Sequence, residues 1–263
     1  MRRVRSCLAV PASSPEKLRK AAGVDADLVV CDLEDAVAAA DKEAARAVLA
    51  ETLPQLDFRA PSVAIRVNAR GTAWFDDDVA LVRELGPDLV VVPKVEAPGD
   101  VEGLPAPVHA LVETARGLVE VERIATAAGV EALIFGPGDF AASLGAPQLT
   151  IGDGDWLYPL TRIVVAARAA GKQAIDGPYV RLGDGDGLRA SARRSRGLGY
   201  DGKWAIHPEQ LPALHEVFTP TGEEVERAQA ILAAAATGAA RHEGAMVDEA
   251  TVRMAEAVLA RAV

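Results

Sequence analysis

The sequence predicts a single (β/α)8 barrel with a helical extension at its C-terminal end. Apolar, strand-like runs alternate with helix-period segments eight times over about 215 residues, which is typical of a closed parallel barrel. The chain has 263 residues, half of them apolar, which is enough for one large core, although length alone also allows two smaller domains. A doubly wound open sheet is the main alternative, but the turn after the first strand reads VPASSPEK and lacks the glycine pattern of a dinucleotide site.

The predicted strands are short apolar runs that end at polar or turn residues. They lie near 5–10, 27–32, 62–67, 88–93, 107–112, 131–136, 172–176 and 202–206. The predicted helices carry an apolar face at helical spacing and lie near 15–22, 41–53, 75–85, 97–103, 116–128, 156–170, 184–198 and 208–217. Capping residues support several helix starts: Ser13 or Ser14 before Pro15, Asp41, and the capping-box pair Thr221 and Glu224.

Two further helices are predicted after the eighth β/α unit, near 221–237 and 249–262. The last of them carries apolar residues at helical spacing: Val252, Ala255 and Leu259. We therefore assign residues 1–220 to the barrel and residues 221–263 to a C-terminal extension or lid. Its apolar face is expected to dock either on its own barrel or on a neighbouring subunit.

Two GDG repeats, at 152–155 and 183–187, resemble the start of calcium-binding loops. They lack the ligand spacing and the terminal Glu of a twelve-residue EF-hand loop. We therefore predict turns at both places.

Composition limits the classes of partner and compartment. The formal charge of −10 argues against nucleic acid as the main partner, although a local basic pocket for a phosphorylated ligand stays open. Cys7 and Cys31 both lie in apolar strand-like runs and are predicted to be buried and unpaired, which fits a reducing cytoplasm. No signal-peptide pattern and no apolar run of membrane-spanning length are found, so we expect no membrane span.

The stretch from Val108 to Phe140 predicts a metal site. It reads as strand, helix, strand, with Glu113 at the end of the first strand and Asp139 just after the second. Neighbouring parallel strands would bring both acids to one point, and Mg²⁺ is held in proteins by one or two carboxylates plus water and substrate oxygens. The alternative is structural: Glu113 would cap the following helix and Asp139 would lie in a solvated turn.

Polar side chains follow seven of the eight predicted strands, at the face where barrel enzymes carry their chemistry. In chain order they are Asp32, Glu34 and Asp35, then Arg66 and Asn68, then Lys94 and Glu96, then Glu113, Asp139, Asp176 and His207. Random surface decoration would spread such groups over both ends of a barrel. The concentration at one end predicts an enzyme.

Arg66 offers a planar fork that suits a carboxylate or a developing enolate oxygen. A metal ion and an arginine that face one oxygen would stabilise negative charge in a transition state, which suits making or breaking a carbon–carbon bond beside a carbonyl. Alternatively, Arg66 forms a salt bridge to the acids after strand two, and both roles can hold together. Lys94 is interpreted as a supporting charge, and His207 as a structural hydrogen-bonding residue rather than a general base.

Nine stretches of the chain resemble the citrate lyase β-subunit family, within the larger group of HpcH/HpaI aldolases. They appear in that family's order over nearly the whole chain: RSCLAVPASSPEKLRKA, DADLVVCDLEDAV with DKEAAR, IRVN, VVPKVE, ALVETARGL, FGPGDFAASLG, AIDGPY, GYDGKWAIHPEQL and GAMVDEA. Together these motifs are highly specific. One departure is Ala12, where a glycine is common.

The resemblance implies a (β/α)8 barrel with a C-terminal lid, usually a trimer, and Mg²⁺-dependent cleavage or formation of 3-hydroxyacyl thioesters. The acyl group would be of the citryl, malyl or citramalyl type. By the same resemblance, Glu113 and Asp139 would be the metal ligands, and Arg66 would bind the substrate and steady the thioester enolate. Glu34 and Asp35 would hold metal-bound waters or orient Arg66.

The resemblance also places an acid of the lid at a neighbouring subunit's site. Asp248 matches an aspartate that would act there as acid or base. The alternative is that Asp248 is simply the N-cap of the last helix, a role that Asp fills well.

The thioester carrier, coenzyme A or a carrier-protein arm, would lie along the first β/α units. Lys17, Lys20, Lys42 and Arg46 are the candidate phosphate contacts, and Lys42 and Arg46 share a helix face. The alternative is a solvated helix surface, which we favour for Arg19.

Two other functions stay open. The chain could be a class II aldolase that acts on free pyruvate and an aldehyde. It could also be a β-subunit that works only inside a citrate lyase complex, with an acyl carrier protein as an essential partner.

Overall fold

Eight parallel strands close into a barrel in sequence order in the computed structural model, which describes residues 3–146, 156–237, 241–242 and 245–262. β1 pairs with β8, which closes the ring. The strands are β1 (Ser6–Pro11), β2 (Leu28–Asp32), β3 (Val63–Arg66), β4 (Leu89–Val92), β5 (Val108–Val112), β6 (Val130–Phe135), β7 (Gln173–Asp176) and β8 (Gly202–Ala205). The predicted (β/α)8 fold is confirmed, and every strand lies within one residue of its predicted ends.

A helix or a 3₁₀ turn follows each barrel strand along the chain, as expected where parallel strands are joined by crossover connections. The helices are α1 (Pro15–Ala22), α2 (Lys42–Thr52), α3 (Phe75–Leu85), α4 (Ala115–Val119), α5 (Val121–Ala125), α6 (Pro137–Ser143), α7 (Leu157–Ala169), α8 (Gly185–Leu198) and α9 (Leu211–Phe218). Short 3₁₀ turns lie at Ala39–Asp41, Leu53–Gln55, Pro98–Asp100 and Pro208–Gln210.

Two helix predictions need correction, and one helix was not predicted. The helix expected at 97–103 is only the 3₁₀ turn Pro98–Asp100, because Gly103 adopts a left-handed φ of 74° that ends any helix. The helix expected at 116–128 is interrupted at Glu120 and forms α4 and α5. Helix α6 was not predicted, since GPG reads as a turn, yet Pro137 occupies the first helical positions, where its missing N–H costs nothing.

The barrel interior is filled by alternate residues of the strands. Its buried apolar members are Val4, Cys7, Leu28, Val30, Ala64, Leu89, Val91, Leu111, Ala132, Ile134, Ile175 and Trp204. Side chains alternate between the two faces of a strand. The next inward positions at the carboxyl ends of β2, β3 and β5 are therefore Asp32, Arg66 and Glu113, so the packing of the core itself aims these three groups into the mouth.

Cys7 and Cys31 are both buried and unpaired, as predicted. Burial raises the pKa of both thiols, to about 12 for Cys31. Within the parts of the chain that the structure describes, no helix is both long and apolar enough to cross a membrane.

The chain divides into two compact units, Met1–His215 and Glu216–Val263. In the second unit, α10 (Gly222–Ala236) starts at the predicted capping box: the Thr221 N–H donates to Glu224 Oε2 (2.8 Å), and the Glu224 N–H donates to Thr221 Oγ1 (3.2 Å). The antiparallel pair β9 (Arg241–His242) and β10 (Ala245–Met246) and helix α11 (Glu249–Ala262) follow. That this unit acts as a lid stays a prediction.

The two GDG turns have different outcomes. The one at 152–155 lies outside the described residues. At 183–187 Gly183 lies in a turn and Asp184 is the N-cap of α8, where its Oδ1 accepts from the Gly187 N–H at 2.9 Å. The turn prediction is wrong for Gly185–Gly187, which form the start of the helix.

Candidate active site

Arg66 and Asp32 form the central ion pair at the mouth of the barrel. The two residues are register partners on β3 and β2, so their side chains point to the same side of adjacent strands. Arg66 Nε donates to Asp32 Oδ1 (2.7 Å) and Nη2 donates to Oδ2 (2.5 Å), the bidentate geometry that an arginine fork favours. Burial alone would lower the pKa of Arg66, but the carboxylate of Asp32 outweighs it and the pKa is raised. The arginine is therefore permanently charged.

Two further acids contact the same guanidinium. Arg66 Nη1 lies 3.1 Å from Glu34 Oε2 and 3.7 Å from Asp35 Oδ2. Burial raises the pKa of Glu34, opposed by the charge of Arg66 and supported by repulsion from Asp35. The predicted salt bridge of Arg66 with the acids after strand two is thus confirmed. Arg66 also lines the cavity described below, so this bridge leaves room for its predicted role toward a substrate.

Lys42 stabilises the loop that carries Glu34 and Asp35. Its ammonium is buried and donates to the main-chain carbonyls of Leu33 and Glu34, both at 2.7 Å. Asn68 Nδ2 adds a third donor to this loop, at 3.1 Å from Leu33 O. Burial lowers the pKa of Lys42. A lysine engaged in this way faces the interior, so the geometry does not favour the prediction that Lys42 contacts a phosphate.

Arg46 is also engaged within the protein. Its guanidinium contacts Asp78 (3.1 Å) and Asp77 (3.3 Å) on α3. Asp78 is fully buried and accepts from the main-chain N–H (2.8 Å) and the side-chain amide (2.7 Å) of Asn68. Arg46 thus holds Asp78, which in turn holds Asn68. Because its guanidinium is already paired with these acids, the geometry does not favour the predicted phosphate contact of Arg46.

Glu113 directly follows β5 and is buried, whereas Asp139 lies half-exposed in the first turn of α6. The structural alternative for Glu113 is wrong, because Thr114 caps α4 and accepts from the Gly117 N–H at 3.0 Å. The alternative of a turn for Asp139 is wrong as well. Burial, together with the charges of Glu34 and Asp139, raises the pKa of Glu113 to about 8. Carboxylates that repel each other in this way favour a bound cation.

Gly136 makes room for the Glu113 carboxylate. A Cβ at position 136 would lie 2.3 Å from Glu113 Oε2 and 2.5 Å from Glu113 Cβ, distances that real Cβ atoms do not show. The Gly136 N–H donates to Val112 O at 3.2 Å, so this backbone is tied directly beside the acid. The glycine of the GPGDF motif is therefore required by the neighbouring strand rather than by its own turn.

Lys94 lies among the acids. Its main-chain N–H donates to Glu113 Oε1 at 2.9 Å, while its ammonium contacts Glu34 and lies 3.5 Å from Asp139 Oδ2 and 3.7 Å from Asp35 Oδ1. Although burial opposes it, the contact with Glu34 raises the pKa of Lys94. The ammonium is therefore charged, in agreement with its predicted part as a supporting charge.

A cavity of about 390 Å³ opens over these groups. Its polar lining is Asp32, Asp35, Arg66, Glu113 and Asp139, and its apolar lining includes Leu111, Ile134 and Trp204. The Trp204 ring stacks on Arg66, with the guanidinium carbon 5.7 Å from the ring centroid. The structure thus brings the predicted metal ligands and the predicted substrate arginine into one cavity.

The donor set suits Mg²⁺. Among the described residues no group of three or more His, Cys, Asp or Glu side chains is arranged to hold a metal ion. A site of two carboxylates completed by water and substrate oxygens is what Mg²⁺ commonly uses. Glu113 and Asp139, which line the cavity and repel each other, fit this description.

A family model described as HpcH/HpaI aldolase/citrate lyase matches residues 5–208. The chain belongs to this family. The resemblance seen in the sequence motifs is thereby confirmed.

Relatives and solved structures of the HpcH/HpaI aldolase/citrate lyase family match almost end to end. The L-malyl-CoA/β-methylmalyl-CoA lyase of Cereibacter sphaeroides is 36% identical and covers 96% of this chain and 92% of its own. A (3S)-malyl-CoA thioesterase of the same species is also 36% identical, over 98% and 92% of the two chains. Among structures, CitE of Mycobacterium tuberculosis with magnesium, acetoacetate and coenzyme A matches at a TM-score of 0.88 and 35% identity, over 99% and 98% of the two chains.

A second cavity, of about 290 Å³, lies beside the first β/α unit of this family member. Lys17, Lys20 and His207 line it, and Lys20 forms an exposed ion pair with Glu16 at 2.8 Å. Arg19 is exposed and does not line the cavity. His207 accepts from the Glu209 N–H at 3.3 Å, which is the structural role predicted for it. Two of the four predicted carrier-binding cations, Lys17 and Lys20, therefore line this cavity, and Lys42 and Arg46 do not.

Asp248 is the N-cap of α11. Thr251 N donates to Asp248 Oδ1 at 2.8 Å, and this hydrogen bonding lowers the pKa of Asp248. The side chain is exposed and belongs to the second unit. The structural role is therefore present, while the catalytic role stays a prediction.

Asp176 does not join the rim, which corrects the prediction. Ile175 faces the barrel interior, so Asp176 faces the helix layer. There it pairs with the buried ammonium of Lys203 and accepts from Ser195 Oγ at 2.5 Å. Strand alternation could have revealed this from the sequence. Lys203 was missed because a lysine inside an apolar strand reads as an exposed residue.

Proposed function

We propose that this protein is a Mg²⁺-dependent carbon–carbon lyase that acts on 3-hydroxyacyl thioesters of coenzyme A. The reaction yields an α-keto acid or glyoxylate and an acyl thioester, and it is reversible in principle. One observation carries the proposal: a permanently charged arginine and two mutually repelling acids share one cavity at the carboxyl end of a (β/α)8 barrel.

Arg66 supplies the charge that the reaction needs. A base takes the hydroxyl proton of the substrate, and the oxygen lone pair forms the new carbonyl of the keto acid. The carbon–carbon bond then breaks, and its electron pair moves to the thioester carbonyl, which becomes an enolate. Arg66 stabilises the developing oxygen charge. Asp32 and the ring of Trp204 fix the plane of the guanidinium, so the fork is oriented before the substrate arrives.

Glu113 and Asp139 would hold the metal ion. Bound there, Mg²⁺ supplies a Lewis acid for the carboxylate and the hydroxyl or keto oxygen of the substrate. Glu34 and Asp35 orient Arg66, with which both are in contact, and we propose that they also hold waters of the ion.

The coenzyme A arm is assigned to the cavity beside β1. Lys17 and Lys20 would contact its phosphates, because both line this cavity and neither is buried. Free coenzyme A is favoured over a carrier protein, since curated relatives that match nearly the whole chain are named as enzymes of malyl-coenzyme A.

The remaining steps involve the second unit. We propose that Asp248 protonates the enolate in the active site of a neighbouring subunit of a homotrimer. A cytoplasmic location is proposed as well, because both cysteines are buried thiols.

The test is a product analysis. The purified protein is incubated with Mg²⁺ and malyl-, citramalyl- or citryl-coenzyme A, and the products are identified by mass spectrometry. A lyase releases acetyl-coenzyme A together with glyoxylate, pyruvate or oxaloacetate, and it stops in excess chelator until Mg²⁺ is restored. Release of free coenzyme A and the intact hydroxy acid would indicate a thioesterase instead. Condensation of free pyruvate with an aldehyde, without any thioester reaction, would indicate an aldolase.

A further inference from the structure

Lys94 has a backbone that the surrounding structure holds in an uncommon conformation. Its φ of 51° is the one left-handed value among non-glycine residues in the described ranges. The next residue is fixed on both sides: Val95 N donates to Leu111 O at 3.2 Å, and α4 packs so closely that a Cβ at Gly117 would lie 2.4 Å from Val95 O. Strain of this kind persists only where neighbouring contacts enforce it, and it is common at functional sites.

This backbone directs two different groups of Lys94 at the acids. The main-chain N–H holds Glu113, at 2.9 Å from Oε1. The ammonium contacts Glu34 and lies within 3.7 Å of Asp35 and within 3.5 Å of Asp139. One residue therefore touches both proposed metal ligands, one through its main chain and the other through its side chain.

The charges around the cavity do not balance without this ammonium. Asp32 is neutralised by its bidentate pair with Arg66, which leaves four acidic side chains and the single ammonium of Lys94. The four are Glu34, Asp35, Glu113 and Asp139. Since the Lys94 side chain is 34% exposed, the ammonium has a path to solvent and can withdraw.

We propose that Lys94 is a resident counter-cation: its ammonium holds the acids of the cavity together before Mg²⁺ arrives and competes with the ion for them. This inference rests on the proposed function, because it presumes that Glu113 and Asp139 bind the metal. The main-chain tie to Glu113 does not depend on the side chain. Lys94 is therefore a positioning residue with two independent contacts. Its main-chain N–H stays bound to Glu113, while its ammonium moves away from the acids when Mg²⁺ binds.

The experiment measures Mg²⁺ binding to the metal-stripped, full-length protein by titration calorimetry. Lys94→Met removes the charge and keeps an unbranched side chain, so the backbone strain is unchanged. One charge a few ångströms from the ion, in a partly solvated site, corresponds to a change of about tenfold in affinity. Lys94→Met should therefore bind Mg²⁺ about tenfold more tightly than wild type, and Lys94→Arg should bind it as wild type does.

A second readout follows from the same charge balance. Without metal, Lys94→Met should melt at a lower temperature than wild type, because the acids repel one another, and saturating Mg²⁺ should remove the difference. Lys172→Met is the matched control, since it deletes the same charge at the start of β7, the opposite end of the barrel, and should change neither quantity. Lys94→Gln repeats the test if the Met variant does not fold.

Weaker or unchanged Mg²⁺ binding in a folded Lys94→Met or Lys94→Gln variant would overturn the proposal. Glu113→Gln and Asp139→Asn separate it from the proposed function. If these two variants bind Mg²⁺ as wild type does, the metal site itself is misplaced. If they lose binding while Lys94→Met is unchanged, only the role of Lys94 fails.

Discussion

Two lysine–carboxylate groups belong to the barrel, one at its mouth around Lys94 and one between the strands and the helix layer around Lys203, and they differ in how their charges are balanced. Around Lys94, several acids share one ammonium, the lysine is 34% exposed, and the pKa of nearby Glu113 is raised to about 8. Around Lys203, one buried ammonium meets one buried carboxylate, and Ser195 and the Gly177 N–H supply the remaining hydrogen bonds. The first group retains binding capacity for a cation, whereas the second is satisfied internally. Chemistry is therefore expected from the first and stability from the second.

The largest expected effect is in the group around Lys94, where the acids outnumber the cations. Glu113→Gln and Asp139→Asn keep the shape of each side chain but remove one proposed metal ligand each. We expect kcat on malyl-coenzyme A to fall by on the order of 10³-fold, as for loss of a group that stabilises transition-state charge. Thermal melting should be little changed at neutral pH. It should be raised for Glu113→Gln above about pH 8, where the wild-type protein carries a buried repelling charge that the variant lacks. Turnover close to that of wild type in either variant would contradict the metal assignment.

In the group around Lys203, a substitution should lower stability rather than activity. Lys203→Met leaves the Asp176 carboxylate buried without its partner, which costs about 3–5 kcal/mol in the free energy of unfolding. Denaturant titration measures this loss. The double variant Lys203→Met with Asp176→Asn removes both charges. It should recover part of the stability, because the amide oxygen can still accept from the Gly177 N–H and the amide NH2 can donate to Ser195 Oγ, whose hydroxyl donates to Ser191 O. Equal losses in the single and the double variant would show that the pair is not coupled.

Substitutions at Gly136 and Gly138 test the position of the Glu113 carboxylate, and their expected effect is of intermediate size. Gly136→Ala places a methyl group against the Glu113 carboxylate, and a displacement of about 1 Å at such a site can cost about 10²-fold in rate. Gly138→Ala is the control two residues on, inside the helix that Gly136 precedes, since a Cβ there meets nothing within 4 Å. The activity assay should separate the two variants, and Gly136→Ala should also melt at a lower temperature, because its Cβ meets Glu113 Cβ as well as the carboxylate. The assigned position of Glu113 would be untenable if both variants were equally active.

The part of this site that the sequence predicts is the part that depends on local periodicity. β/α alternation places each strand end, and alternation within each strand then aims Asp32, Arg66 and Glu113 inward. The ion pair of Arg66 with Asp32 follows from the register of two adjacent strands. The chemical roles of these residues come only from the motif resemblance, and they stay predictions.

The rest depends on contacts that no local pattern encodes. Lys42 looks like a solvated helix residue, yet the packing of α2 turns its ammonium onto the loop after β2. Helix α6 begins in a sequence that reads as a turn, and its start is fixed by the close approach of Glu113 to Gly136. Only the assembled barrel brings such residues together. Analysis of the sequence therefore gave Lys42 a phosphate contact that the geometry does not favour, and it did not predict helix α6.

The smallest expected effect lies behind the site, at Lys42. Both carbonyls that it binds keep another donor, Asn68 Nδ2 for Leu33 O and the Val37 N–H for Glu34 O. Lys42→Met should therefore cost only about 1–2 kcal/mol of unfolding free energy, toward the low end for removal of buried hydrogen bonds. The loop that carries Glu34 would loosen, so kcat should fall severalfold while KM for the thioester stays near that of wild type. A lysine that binds phosphate would give the reverse pattern, a raised KM at unchanged kcat and stability, so steady-state kinetics with a melting curve decides between the two roles.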